Sequence, residues 1–457
     1  MTTLGQCALW GAFLCAGVAA TLATLAGATR RSAWLPGASW ALNGAAVLSA
    51  LALGVLARLL IASDFSVRYV ATFTAFSLPD AFKLGAIASG PPGVLLLWST
   101  GLTAAAGIVA RRALHEEGRR GAMLLLSLAV TVLFALILCV VQYNPFTSID
   151  PAPIDGLGME PELQRASILL ANPLILFGLG IATTTALVGA LTALDRLYAA
   201  RLTVLVRQLV ALTELVLVPA ILLGLRAASQ VGVGGFRLWD QLHFGAVIVL
   251  VVALVTSWAT TPRVEGGLGA FARRVSVTGA LVALLGLMLV PLRTQREVGL
   301  RDGQSTTMTD RFGRVWTFTS QGTSRFERPP NQYVLALSLA PRVGSRRLPL
   351  ITAEQREYVD GRGDSRYEPM MTTGRATGVL VDAQLALLDI GPAGATMKIT
   401  LWPLRVLLEI GATMLWIGAL LRLAVAVADT RDVDRAEEQR RDAAAEAAVA
   451  RWSSRAS

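Results

Sequence analysis

Apolar positions in this chain fall in long unbroken runs, with neither the alternation of a half-buried strand nor the narrow stripe of a surface helix. From Leu4 to Thr29 the chain is apolar and rich in small residues, and the first charge after the amino group is Arg30. At about 1.5 Å per residue such a run spans the hydrocarbon core of a bilayer. Comparable runs occupy Ser32 to Ala57, Leu84 to Ala110, Gly121 to Ile149, Ala166 to Leu194, Leu209 to Leu225, Phe244 to Thr261, Val275 to Leu292 and Ile410 to Leu421. The pattern predicts nine membrane-spanning helices. The first run has no positive region before it, so it does not read as a secretory signal.

Short loops rich in Lys and Arg stay cytoplasmic, which sets the expected orientation. Loops carrying Arg30 and Arg31, then Arg111, Arg112, Arg119 and Arg120, then Arg196 and Arg201, then Arg263, Arg273 and Arg274 alternate with poorer ones. The poorer loops carry Arg68 and Lys83, then Arg165, then Arg226 and Arg237. The N-terminus is expected outside and the C-terminus in the cytoplasm, the chain being multi-pass in the membrane.

A polar segment interrupts the apolar pattern between the last two spans, from Arg293 to Lys398. Its runs Val315 to Thr319, Tyr333 to Leu339 and Val379 to Leu387 are strand-like and separated by Gly322, Pro329 with Pro330, and Gly361 to Gly363. The expected fold class is therefore mainly α and polytopic, with a small β-rich extracytoplasmic domain between the last two helices. The domains are expected at 1–292 (an eight-helix bundle), 293–398 (the β-rich domain), 399–428 (the last span) and 429–457. The last, rich in Ala, Glu and Arg, reads as a solvated cytoplasmic helix.

Composition agrees with the membrane reading and narrows the chemistry. Of 457 residues, 54% are hydrophobic and 16% charged, against roughly 25% charged in an ordinary soluble domain. The net charge of +10 is not gathered into a stripe with interleaved aromatics, so a nucleic-acid partner is not expected. Cys7, Cys15 and Cys139 lie inside apolar runs with no CxxC spacing, so neither a disulfide framework nor a metal site is expected. His115 and His243 are the only imidazoles, and mechanisms needing several histidine ligands are excluded by counting.

Candidate chemistry lies in the loops on the expected outer side. Asp64 to Lys83 mixes Asp64, Arg68 and Asp80 with Phe65, Tyr69, Phe73, Phe76 and Phe82, a composition that suits a helix lying in the membrane interface. Gly90-Pro91-Pro92-Gly93 follows, which predicts that the third span starts near Val94 with Trp98 just below the surface. The next outer loop is proline-rich, from Asn144-Pro145-Phe146 to Asn172-Pro173. The fourth contains Gly234, Gly235, Phe236, Trp239, Asp240 and His243. Glycines beside aromatics let a flat ligand approach the backbone, and they are equally ordinary at a membrane interface. His243 offers one axial ligand position for iron or is a polar surface residue. Glu214, within the sixth span and two turns from Arg207, is either a functional carboxylate or one hydrogen-bonded to a neighbouring helix.

Taken in order, these loops resemble the CcmF-type cytochrome c biogenesis proteins, membrane haem lyases related to the CcsA group. The similarity runs through Asp64-Phe65-Ser66-Val67-Arg68-Tyr69-Val70-Ala71, Leu78-Pro79, Phe82-Lys83, Gly93 and Leu95-Leu96-Leu97-Trp98. It continues at Asn144-Pro145-Phe146, Pro153, Asp155-Gly156, Pro161 and Leu163-Gln164, and Gly234 to Asp240 looks like the family's tryptophan-rich haem-handling loop. In the polar domain, Glu354-Gln355-Arg356 with Tyr358, then Thr372 and Asp382, and later Pro403, resemble the segment around the family's last helix.

The resemblance implies an outward-facing platform that receives haem and presents it to apocytochrome c, with other cytochrome c maturation proteins and membrane lipid as partners. Haem-contacting residues would be Trp98, Gly234, Gly235, Phe236, Trp239, Asp240 and His243. The chain is shorter than full family members, and departs at the family's histidines: Ala171-Asn172-Pro173 stands where the family has His-Pro-Pro, and Val255-Thr256-Ser257-Trp258 lacks the helix histidine. Alanine has no donor atom and a neutral hydroxyl is a poor iron ligand. Two readings stand: a cytochrome c maturation component that holds haem weakly or with a partner's ligands, and a degenerate paralogue that serves as a structural or assembly subunit of a membrane complex.

Overall fold

A computed structural model describes residues 1–114, 118–159, 166–194, 200–229, 267–289, 292–328, 332–359, 369–378, 380–391 and 394–456. Its long helices are α1 (Thr2–Thr29), α2 (Leu35–Ile61), α5 (Pro91–Ala113), α6 (Gly118–Ile137), α7 (Ala166–Leu194), α8 (Ala200–Ser229), α9 (Gly267–Met288) and α10 (Val406–Ala456). Among the described residues these eight helices are long and apolar enough to cross a membrane. The expected span Phe244 to Thr261 lies outside the described residues.

Four element boundaries differ from expectation, each for a local reason. Helix α5 starts at Pro91, because the first helical turn needs no intrahelical N–H and proline's φ already suits it. The expected span ending at Ile149 instead closes on a π-helical turn, Leu138–Gln142, before Asn144-Pro145. The interfacial segment forms two short helices, α3 (Arg68–Phe73) and α4 (Asp80–Gly85), with Tyr69, Val70 and Ala71 buried against the bundle. Finally, the last span and the charged tail are one helix of 51 residues, since no glycine or proline interrupts the chain after Gly418.

The β-rich domain contains two antiparallel sheets. The first orders β1 (Thr294–Leu300), β10 (Gly394–Pro403), β9 (Val381–Gly391) and β8 (Thr373–Ala376). The second orders β2 (Ser305–Thr309), β3 (Val315–Arg328), β4 (Gln332–Val343), β6 (Ile351–Tyr358) and β7 (Met370–Met371), with β5 (Arg346–Arg347) against β4. Trp316, Phe318, Leu337, Leu339 and Ile351 of one sheet share a core with Leu385, Leu387, Met397, Ile399 and Leu401 of the other. Strand β10 continues through Pro403, past the expected boundary at 398, and hands the chain directly to α10.

Helix directions place the functional loops and the β domain on the same side. Helices α1 and α6 are antiparallel, with Gly5 against Phe146 at one end and Gly27 beside Ala122 at the other. Gly178 meets Leu217 and Gly224 meets Ala171, so α7 and α8 are antiparallel; α8 and α10 are too, through Gln208 to Ala426 and Leu215 to Trp416. The starts of α1, α5, α7 and α10 therefore share one face of the bundle with the end of α8, and this face bears the β domain. Helix α8 ends on that face and α9 begins on the opposite one.

Candidate functional site

On the domain-bearing face, residues 62–90 and 143–159 fold into a single platform around Tyr69. The Tyr69 hydroxyl lies 2.9 and 2.8 Å from the carbonyl oxygens of Ala86 and Ile87, and accepts from the Gly90 N–H at 3.3 Å. It thus pins the turn that enters α5 to the helix that leaves α2. Burial pushes the phenol's pKa well above its ordinary value, against the opposing pull of the backbone N–H groups of Gly90, Gly93 and Ser89. Gly93 is required by this packing, because a Cβ there would lie 1.9 Å from the Ile87 oxygen and 2.4 Å from the Tyr69 hydroxyl.

The proline-rich loop is laced onto the same unit through its backbone. Arg68 N–H donates to Thr147 O at 2.8 Å, Ile149 N–H to Ser66 O at 2.8 Å, and Leu157 N–H to Ala71 O at 2.8 Å. Asp155 Oδ1 accepts from the N–H groups of Phe76 at 2.9 Å and Gly156 at 2.7 Å. A Cβ on Gly156 would sit 1.9 Å from Thr74 O. Phe146 is buried and reaches α1 at Gly5. A folded loop held by main-chain bonds presents its side chains in fixed positions.

Two residues under the platform carry specific polar groups. Lys83 is buried, with Asp80 at 3.8 Å. Trp98, the one predicted haem-contacting residue inside the described set, lies one to two turns into α5, where its indole N–H donates to Thr183 Oγ1 of α7 at 3.3 Å. Gly180 lets α7 approach the Trp98 backbone. Trp98 therefore packs between helices, with its N–H already engaged. Gly234, Gly235, Phe236, Trp239, Asp240 and His243 lie outside the described residues, as does His115.

The β domain contributes two charge clusters. Glu354 holds Arg328 at 2.8 Å and Arg356 at 2.6 Å. Burial raises the Glu354 pKa, yet the hydrogen bonds and charges of Arg328 and Arg356 outweigh it and hold the carboxyl below its usual range. Thr372 N–H donates to Glu354 O at 2.6 Å, so the family-like residues Glu354, Arg356 and Thr372 form one unit. Asp382 pairs with Arg375, which also reaches Glu409 in the first turn of α10 at 3.2 Å. This second cluster ties the domain to its supporting helix. Arg375 and Glu409 gave no sequence signal as a site; their pairing spans 34 residues of chain and emerges only from the sheet register.

The chain's two histidines, His115 and His243, both fall outside the described residues. Ala171, at the family's histidine position, is fully buried against Gly224 and has no donor. Among the described residues no three His, Cys, Asp or Glu side chains gather as a metal site. Glu214 is settled differently: it is ion-paired with Arg422 of α10, and Arg207 pairs with Asp429 at 3.6 Å.

No protein-family model matches the chain. It is 29% identical over 273 residues to the cytochrome c-type biogenesis protein NrfE of Haemophilus influenzae, covering 58% of this chain and 42% of that one. It is 30% identical over 246 residues to a probable NrfE of Escherichia coli, covering 52% and 44%. It is 29% identical over 289 residues to CcmF of Pseudomonas aeruginosa, covering 61% and 43%. The match thus spans less than half the length of these curated relatives. The fold is similar to a solved cytochrome c haem lyase CcmF, with a TM-score of 0.64 at 13% identity, over 92% of this chain and 98% of that one.

Proposed function

Starting from a chain that is a CcmF-type membrane protein in sequence and fold, we propose that it works in cytochrome c biogenesis. Its role is to receive haem as substrate and present it to apocytochrome c at the domain-bearing face, which is the outer face of a bacterial inner membrane, with the N-terminus outside and the C-terminus cytoplasmic. The observation that carries this reading is the platform. Sequence segments that resemble the family one by one, from Asp64 to Gly156, are laced into one unit by Tyr69, Asp155 and main-chain hydrogen bonds. The β domain stands on the same face, so haem and an apocytochrome would meet between two rigid surfaces. The chain's part is to bind, orient and exclude water. Gly234, Gly235, Phe236, Trp239, Asp240 and His243 belong to this reading as proposed haem contacts, with Trp98 beneath them.

Ala171, buried and without a donor, favours a second reading in which a partner supplies the iron ligands or the chain serves as an assembly subunit. One experiment separates them. Cells lacking this protein are assayed for covalently bound haem in their c-type cytochromes, and the purified protein from haem-replete cells is examined for a Soret band. Loss of c-type cytochromes supports the biogenesis role, and their full retention overturns it. A stoichiometric Soret band supports autonomous haem binding; its absence together with lost cytochromes supports dependence on a partner.

A further inference from the structure

The β domain is inserted between α9 and α10, and those two helices form its stalk. They approach unusually closely: a Cβ on Gly279 would lie 2.4 Å from Leu415 N, on Gly411 2.2 Å from Ala283 N, on Gly286 2.5 Å from Leu408 N, and on Gly418 2.2 Å from Ser276 Oγ. At its top the stalk is locked to the domain by Arg375, Asp382 and Glu409 and by the Leu404 N–H to Leu380 O bond of 2.7 Å. These contacts join domain and stalk into one unit.

Among the described residues this body packs on the bundle through α8, where Val218, Ile221 and Leu222 join a core with Ala280, Ala283, Leu287, Leu408, Ala412 and Leu415. That core is separate from the one uniting α1 to α8. Between helices in lipid the hydrophobic driving force is absent, because lipid tails are as apolar as the side chains, and van der Waals packing and interhelical hydrogen bonds hold them together. The polar groups of the α8 seam are therefore what can define its register. Arg422 is ion-paired with Glu214 of α8 while its Nε donates to Ser276 Oγ of α9 at 3.1 Å. Both charged side chains are at least nine-tenths buried. Gln208 Nε2 to Ala426 O at 3.1 Å, Trp416 Nε1 to Leu215 O at 3.1 Å and Arg207 to Asp429 follow the same seam.

We propose that the Glu214–Arg422–Ser276 junction is a positioning device: it fixes the register of the α9/α10 stalk on α8 and so sets where the β domain stands over the Tyr69 platform. A buried ion pair adds little net stability compared with well-packed apolar residues, while a single buried polar contact is well suited to specify register. The inference concerns geometry and holds whether or not the chain handles haem. Arg422 is central because one guanidinium reaches both other helices, with the planar fork that an ammonium lacks.

The test uses the full chain in nanodiscs, with Cys7, Cys15 and Cys139 replaced and spin labels at Ile154 on the platform and Arg346 on the domain, both exposed. The parent should give one narrow distance distribution. Glu214→Leu with Arg422→Leu should keep thermal stability near the parent's but broaden or split the distribution, and the charge-reversed pair Glu214→Arg with Arg422→Glu should narrow it again. If the apolar pair fails to fold, Glu214→Gln decides: a broadened distribution supports the proposal. A distribution in the folded variant with the parent's mean and width overturns it.

Discussion

Removing one oxygen atom tests the platform most directly. In Tyr69→Phe the ring stays and the hydroxyl goes, taking its contact at 2.8 Å from the Ile87 carbonyl and at 3.3 Å from the Gly90 N–H, while the Ala86 carbonyl keeps the Ser89 N–H at 3.0 Å. A buried polar group left unpaired costs about 1–3 kcal/mol. Taking that for the net loss, and about 1.4 kcal/mol per tenfold, opening of residues 84–93 becomes roughly 5- to 150-fold more favourable. Amide hydrogen exchange reads this directly, because exchange of a locally opening segment follows its opening free energy. Peptides covering residues 84–98 should exchange faster by that factor, while β-domain peptides stay unchanged. Exchange of residues 84–98 within twofold of the parent would refute the claim that the hydroxyl holds the turn into α5.

Three further outcomes follow from packing and charge. Asp310 Oδ atoms accept from Trp316 Nε1 at 3.0 Å and from Arg314 N, Arg314 Nε and Phe312 N at 2.9 Å each. Burial raises its pKa, and these hydrogen bonds more than offset it, so the folded value is depressed. A depressed carboxylate stabilises the fold above its unfolded value, near pH 4, and that contribution is lost as pH falls through the folded value. The protection of residues 308–318, with exchange corrected for the intrinsic amide rate at each pH, should therefore fall on acidification below about pH 4, and Asp310→Asn should weaken this dependence while destabilising the turn at neutral pH. Gly411→Val places a branched side chain against the α9 backbone and should lower thermal stability by forcing the stalk helices apart, on the order of 1–3 kcal/mol or more; an unchanged melting temperature would contradict the close approach. If haem co-purifies, His243→Ala should remove or shift the Soret band, and an unaltered spectrum would clear that imidazole of ligation.

Much of the architecture is legible in the sequence because a bilayer imposes a simple rule on apolar run length. The strands around Trp316, Val334 and Leu385 were equally visible; β3 alternates buried and half-buried positions after Val315, whereas β9 is buried at every position from Val381 to Leu387. Strand β10 was less legible: Met397, Ile399 and Leu401 alternate with Thr396, Lys398 and Thr400 as in a strand, but Leu401-Trp402-Pro403-Leu404 then leads toward the last span with no polar break before Arg405. The unbroken α10 was hidden by the opposite effect, a change of composition at Asp429 without any change of helix propensity. The partner of Glu214 is 208 residues away, so local spacing pointed to Arg207 instead, which proves to pair with Asp429. In the platform, the family-like segments could be listed in order, but that Tyr69, Gly93 and Asp155 are what bind them together is a property of the fold alone.

The unbroken helix from Val406 to Ala456 also acts as a ruler. It is roughly 76 Å long at 1.5 Å per residue, and about 40 Å of that lies beyond Asp429. Its first turn is bolted to the β domain and its far end lies on the opposite side of the bundle, so a domain tilt carried by the helix would swing the tip in the reverse sense. A fluorophore attached at Ala456→Cys, at the end of this helix, would report on an event taking place at its other end.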